Sequence, residues 1–153
     1  MLLQLNANED NHGKVLAELI KRSETSVLCS GWLKHAGLIH LLPAIDLALK
    51  NKSKITIYSN KKHTDSRAIK SIKSRESIIH IVVDDSAKYL HSKIYYFENA
   101  GEYKAIIGSA NITNGGLTSN EELSVNLAGT IGDSQNNQIK KYLARLKTVG
   151  HPN

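Results

Sequence analysis

At 153 residues the chain is long enough for one domain with a single core and needs no covalent staple to fold. Its lone cysteine, Cys29, excludes an internal disulfide; no stretch approaches the roughly 18 apolar residues of a membrane span, and the opening Met1-Leu2-Leu3-Gln4-Leu5-Asn6 lacks a basic leader, so a soluble cytoplasmic protein with no membrane partner is expected. The formal charge of +6 is concentrated, with nine basic residues between Lys50 and Arg75 against one acid, Asp65, which fits either a polyanion partner such as nucleic acid or a solvated helix face.

Val15, Leu16, Leu19 and Ile20 recur at helical spacing after Asn8 to Asn11, which offer cap residues. Ser26 to Ser30 reads as a short buried strand containing Cys29 and ended by Gly31. Leu38 to Leu49 is apolar on most sides, and Pro43 requires that a helix there either begins near it or kinks. Ile55 to Tyr58 is a second strand, Arg67 to Lys73 a basic helix, and Ile78 to Val83 a third strand. Ile94 to Phe97 and Lys104 to Ile107 flank a six-residue stretch, 98 to 103, with turn chemistry and are expected to pair as a hairpin. Gly115-Gly116 lacks the lysine of a phosphate loop and reads as a turn. Leu123, Val125 and Leu127 alternate as in a half-buried strand, and Ile139, Tyr142, Leu143 and Leu146 mark one face of a last helix capped by Asp133 or Ser134. Helices alternating with strands, then a hairpin, indicate an α/β sandwich around a mixed sheet.

Chemistry concentrates between His91 and Glu122. On one strand His91 and Lys93 would project to the same face and meet the same ligand. Past the expected partner strand, Gly108 permits close approach of backbone to ligand, and Ser109 and Asn111 are neutral donors. Such a set suits metal-free attack on a phosphodiester. Neutral His91 attacks phosphorus, the Lys93 ammonium faces the nonbridging oxygens, Ser109 and Asn111 add hydrogen bonds, and Glu122 holds the imidazole, with Glu121 on the opposite face. The leaving oxygen still needs a proton, and a second histidine acting as general acid is worth roughly 10²- to 10⁴-fold. No second His-x-Lys is present.

These residues resemble the phospholipase D superfamily, whose signature is His-x-Lys-(x)4-Asp followed by Gly-Ser-x-Asn. The matching positions are His91, Lys93, Gly108, Ser109 and Asn111, with Asn120-Glu121-Glu122 matching a later Asn-x-Glu; the stretch Gly-Ser-Ala-Asn-Ile-Thr-Asn-Gly-Gly-Leu is especially similar. Glu98 stands where the family has aspartate; since that residue usually supports the motif rather than attacking, activity is expected to survive. The resemblance implies a phospholipase D-like αβα sandwich, a central mixed sheet flanked by helices. It also implies that a chain with one motif forms a homodimer, in which one His91 is the nucleophile and the other the general acid.

The expected protein is therefore a single domain over residues 1–153, similar to the small single-motif endonucleases of that family. It would cut nucleic acid, DNA favoured over RNA, with no metal or cofactor. Two rivals are a hydrolase acting on phospholipid and a non-catalytic DNA-binding or dimerisation module of the same fold. Lys61 and Lys62 could guide a nucleic-acid backbone, although a solvated loop explains them equally well. Aromatic interleaving is poor in the basic stretch, which argues against a base-stacking platform of the single-strand type, and Trp32 and Tyr58 sit at strand ends and could line the site, although core or rim packing is favoured. His12, His35, His40, His80 and His151 show no metal-ligand spacing.

Overall fold

A computed structural model describes residues 2–6 and 9–153. In chain order the elements are β1 (Leu2–Leu5), α1 (His12–Arg22), β2 (Thr25–Ser30), α2 (His35–Leu38), α3 (Leu42–Lys50), β3 (Lys54–Asn60), α4 (Ser66–Lys73), β4 (Ile78–Val83), β5 (Lys93–Asn99), β6 (Glu102–Gly108), α5 (Asn114–Thr118), β7 (Leu123–Thr130), α6 (Ser134–Val149) and β8 (Gly150–Pro152). The strands form one mixed sheet in the order β1-β7-β6-β5-β2-β3-β4-β8. β2, β3 and β4 run parallel, and β5 lies antiparallel beside β2.

Alternation along the strands sends their apolar side chains into two cores. Leu28, Ile55, Ile57, Tyr95, Phe97 and Ile106 pack under α1 to α5, whereas Cys29, Tyr58, Ile94, Tyr96, Tyr103 and Ala105 face α6. That makes the αβα sandwich, with five helices on one face and α6 alone on the other. Cys29 is fully buried, and burial pushes its thiol up to about 11, as suits a packing residue.

Local chemistry sets the boundaries. Asn11, Asp65 and Asp133 cap α1, α4 and α6, each side chain accepting from a backbone N–H of the first turn. Asp65 also accepts from His35 N at 2.9 Å, joining α2 to α4. Of the cap candidates Asn8 to Asn11, Asn8 lies outside the described residues. The apolar run 38–49 divides: α2 ends at Leu38, and α3 starts with Pro43 in its first turn, where the missing N–H costs nothing. The β5–β6 turn is shorter than the six residues expected, only Ala100-Gly101, both with positive φ as a two-residue hairpin requires.

Three elements depart from expectation. Gly115-Gly116 is not a turn but lies within the short helix α5, whose Thr113 cap accepts from Gly116 N. Edge strands β1 and β8, at Leu2–Leu5 and Gly150–Pro152, carry no alternating pattern long enough to detect; tertiary pairing with β7 and β4 creates them.

His80 on β4 is buried between Ser59 and the chain's last residue. Asn153 Nδ2 lies 3.1 Å from His80 Nδ1, and His80 Nε2 lies 2.9 Å from Ser59 Oγ. Burial, with the Lys73 charge adding to it, pushes the imidazole from its ordinary 6.5 down to about 4. The unfolded chain then takes this proton below pH 6.5 while the folded chain resists until about pH 4. Stability is full above the upper value and is lost as pH falls toward the lower, by roughly 3 kcal/mol. Thermal denaturation should show the melting temperature falling across that window, and His80→Gln should make the fall distinctly shallower; an unchanged slope in the variant would assign the acid sensitivity elsewhere.

Candidate functional site

Sheet register brings the motif to one edge. Because β5 reverses beside β2, its first residue, Lys93, sits opposite Ser30, the last residue of β2. The same reversal sets Gly108, at the end of β6, opposite Ser124, at the start of β7. The ends of β2, β3, β4 and β6 and the starts of β5 and β7 thus share one rim, where α/β sheets tend to carry their sites.

His91 is exposed and lies two residues ahead of β5, so only Lys93 of the pair is on the strand. The Lys93 ammonium donates to the His91 carbonyl at 2.6 Å, fixing the main chain between them. Among the described residues neither ring nitrogen of His91 has a hydrogen-bond partner. Lys93 itself is buried; desolvation lowers its pKa, and the Glu122 carboxylate and Cys29 only partly offset that. The segment leading to His91 is clamped by the buried Asn60, which accepts from Leu90 N at 2.9 Å and donates to Leu90 O at 2.5 Å. A Cβ at Gly31 would meet that same Leu90 carbonyl, so the segment passes only because residue 31 has none.

Beyond β6, Ser109 is tied to the start of β7. Its N–H donates to Leu123 O, its Oγ accepts from Leu123 N, and the hydroxyl proton goes to Glu122 Oε2. Ser109 therefore holds Glu122. Asn111 Oδ1 accepts from Trp32 N at 3.1 Å and lies 3.2 Å from Ser30 Oγ, while its amide nitrogen has no hydrogen-bond partner among the described residues. Tyr95 supports this loop from below, donating to Ala110 O at 2.6 Å. Glu122 is half-buried and Glu121 exposed; Glu122 makes no hydrogen bond to His91, and its charge acts on Lys93.

Sequence reasoning missed the buttress behind Glu122. The imidazole of His12, wholly buried at the start of α1, lies 2.7 Å from Asn6 Oδ1 and 2.9 Å from Ser124 Oγ. Asn6 Nδ2 donates to Gly116 O and Asn120 O. Burial lowers the His12 pKa, against the pull of Glu122. The available signal was an Asn and a His bracketing a helix start, which is too common to single out.

Glu98 stands at the other end of β5, away from His91. Its carboxylate accepts from Lys140 Nζ at 2.6 Å and Tyr96 OH at 2.7 Å, and Asn136 donates to the same tyrosine oxygen at 2.7 Å. Burial opposes the charge, but the Lys140 ammonium and the Tyr96 hydroxyl outweigh it and hold the carboxyl below its usual range. It anchors α6 to the sheet. Lys61 and Lys62 are exposed at the end of β3 on the His91 rim, the Lys61 ammonium 4.0 Å from Asp84. Lys50, Lys52 and Lys54 lie at the far end of β3, about 20 Å away, so the basic run does not form one face. Tyr58 is core, as read from the sequence, whereas Trp32 is 42% exposed on the rim. A groove of about 770 Å³ lies between α6 and β2/β3 and is lined by none of His91, Lys93, Ser109, Asn111 or Glu122. Among the described residues no three His, Cys, Asp or Glu side chains converge as a metal site would, and no helix is long and apolar enough to cross a membrane.

Residues 11–148 match the family model described as the NgoFVII restriction endonuclease N-terminal PLD domain. The chain belongs to this family. No curated protein matches this PLD domain by sequence. Its fold is shared with Nuc, a phospholipase D family member from Salmonella typhimurium, at TM-score 0.72 and 15% identity over 99% of this chain and 96% of that one. It is shared also with NucT from Helicobacter pylori, at TM-score 0.75 and 13% identity over 99% and 98%. A phosphatidylserine synthase from Haemophilus influenzae superposes at TM-score 0.75 and 12% identity, with 99% of this chain covering 39% of that one. The PLD fold expected from the motifs is the one observed.

At Gly108 the PLD domain has no room for a side chain, since an added Cβ would collide with Ser124 Oγ and with the backbone of Leu123 and Ser124. Gly108→Ala should force β6 and β7 apart beside Ser109 and Glu122, at a cost of about 1–3 kcal/mol. Urea denaturation of the variant would read this directly, and a midpoint equal to the wild type's would mean that the strands yield freely there.

Proposed function

We propose that this PLD domain is a nucleic-acid phosphodiesterase, acting as a DNA endonuclease through a covalent phosphohistidine at a site shared by two copies of the chain. The reading is carried by an exposed imidazole, with both nitrogens unpartnered among the described residues, beside the Lys93 ammonium in a chain whose family is named for a restriction endonuclease. The preference for DNA rests on that family.

In the first step a ring nitrogen of His91 attacks phosphorus while the bond from phosphorus to the leaving oxygen breaks. The leaving oxygen takes a proton from the imidazolium of His91 in the second copy. In the second step that imidazole, now neutral, removes a proton from water as the water oxygen attacks the phosphohistidine, freeing His91 and a phosphate monoester. Lys93 spends one N–H on the His91 carbonyl and keeps two for the nonbridging oxygens. Asn111, its carbonyl oxygen engaged by Trp32 N, offers its amide to the same phosphate. Ser109 acts through Glu122, whose carboxylate favours the charged form of Lys93. Gly108 and Glu98 support the site's frame, and Lys61 and Lys62 attract the flanking backbone.

Plasmid cleavage in excess chelator is the test. The wild type should cut at an undiminished rate, and His91→Ala should lose at least about 10³-fold. Cleavage abolished by chelator would overturn the metal-free mechanism, and a fully active His91→Ala would overturn the site. Phosphatidylcholine vesicles assayed in parallel should remain intact; their hydrolysis in place of plasmid would move the substrate to lipid.

The shared site makes a second demand. Light scattering at micromolar concentration should give twice the chain mass, and a monomer that nonetheless cuts would rule out the partner histidine as acid. Binding should weaken steeply as salt rises, because phosphate contacts release counterions; a flat response would count against a nucleic-acid substrate.

A further inference from the structure

An aromatic cluster stands beside His91 and has no part in the chemistry above. The Trp32 and His63 rings are stacked, with centroids 4.7 Å apart and planes within 10°. His63 meets Tyr89 edge-on at 5.7 Å, and Tyr89 is offset-stacked with His91 at 5.9 Å. Trp32 Nε1 donates to Tyr89 OH at 3.2 Å, and the Lys34 ammonium lies 5.6 Å from the Trp32 ring centre. The rings come from three separate connections, after β2, after β3 and before β5, and only the folded rim brings them together.

Two properties give the cluster a use. It is rigid, since stacking and the Trp32–Tyr89 hydrogen bond fix the rings, and Asn111 fixes the Trp32 main chain. It is also open to solvent, Trp32 by 42% and Tyr89 by 48%, although rings of this size are usually covered. The charge around it is positive, with Lys34, Lys61, Lys62 and Lys88 nearby in sequence, so the ligand that fits is a flat aromatic group carried on a polyanion. A nucleobase is such a group. In a duplex its faces are already stacked; only an unpaired base can lie on protein rings.

We propose that Trp32, His63 and Tyr89 form a stacking platform that seats an unpaired nucleobase next to the phosphodiester at His91, giving the enzyme a preference for single-stranded over duplex nucleic acid. This rests on the phosphodiesterase reading and adds to it the strandedness of the substrate. It differs from the expectation that poor aromatic interleaving in the basic stretch argues against such a platform, because Trp32 and Tyr89 come from outside that stretch.

Trp32 is the chain's single tryptophan, so its fluorescence reports on the platform alone. Cleavage-deficient His91→Ala protein is titrated with a fluorescein-labelled single-stranded DNA 12-mer, an abasic oligomer of equal length and the matching duplex, following Trp32 emission and oligomer anisotropy together. The single strand should quench Trp32 saturably and bind about 5- to 150-fold more tightly than the abasic oligomer, the range that stacking of one base provides. The abasic oligomer and the duplex should leave Trp32 emission nearly unchanged. Tyr89→Ala should weaken single-strand binding about tenfold, and Tyr89→Phe, which keeps the ring, should restore it to within about twofold.

Equal quenching by the abasic oligomer or by the duplex would overturn the platform. So would anisotropy that reports tight single-strand binding while Trp32 stays silent, an outcome that leaves the phosphodiesterase intact. An emission shift on diluting the protein alone would assign the rings to the contact between copies instead. Absence of binding to every oligomer, with no plasmid cleavage by the wild type, would bring down the phosphodiesterase reading itself.

Discussion

Pairing of Lys93 with Ser30 is the constraint on which the rim depends. It sets β5 antiparallel to β2 in a register that ends both strands at one edge, and β6 and β7 inherit that edge from it. A shift of one residue would turn Lys93 to the opposite face of the sheet and carry Tyr95 out of the core beneath Ala110. The register is secured by burial on both faces, since consecutive residues from Ile94 to Phe97 enter the two cores alternately. Stability and site geometry are thus fixed by the same side chains.

Much of this was legible in the sequence. The central strands and long helices were visible because each carries a period its neighbours reinforce, and cap residues such as Asn11 and Asp133 mark boundaries independently of the core. Edge strands β1 and β8 were not, because three or four residues carry no period and their pairing is decided elsewhere in the chain. In the site, the motif spelled out which groups are present but not what each one holds. Ser109 reads as a phosphate donor and gives its proton to Glu122; Asn60 and His12 read as ordinary polar residues and hold the segments that carry His91 and Glu122. The roles of Asn60 and His12 depend on contacts between residues 30 to 112 positions apart, beyond the reach of any local pattern. Trp32 and Tyr89 were hidden for the same reason, since 57 residues separate two rings that share a hydrogen bond.

The same fold carries proteins as different as a phosphatidylserine synthase and the phospholipase D family member Nuc. What the sheet contributes is a rim with a buried ammonium and a clamped histidine segment. What surrounds the rim differs from protein to protein, and here it includes a stacked pair of rings.

The contact between His12 and Ser124 spans 112 residues, and with Asn6 it draws the first strand's neighbourhood against the loop that carries Glu122. Contacts of such long sequence separation form late, because the chain between them must already be ordered. A nascent chain that has emerged only as far as the Lys93 strand therefore possesses the His-x-Lys triplet without the carboxylate, the loop or the buttress. The rim around Glu122 is therefore assembled only when segments far apart in the chain, near Asn6 and near Ser124, are present together.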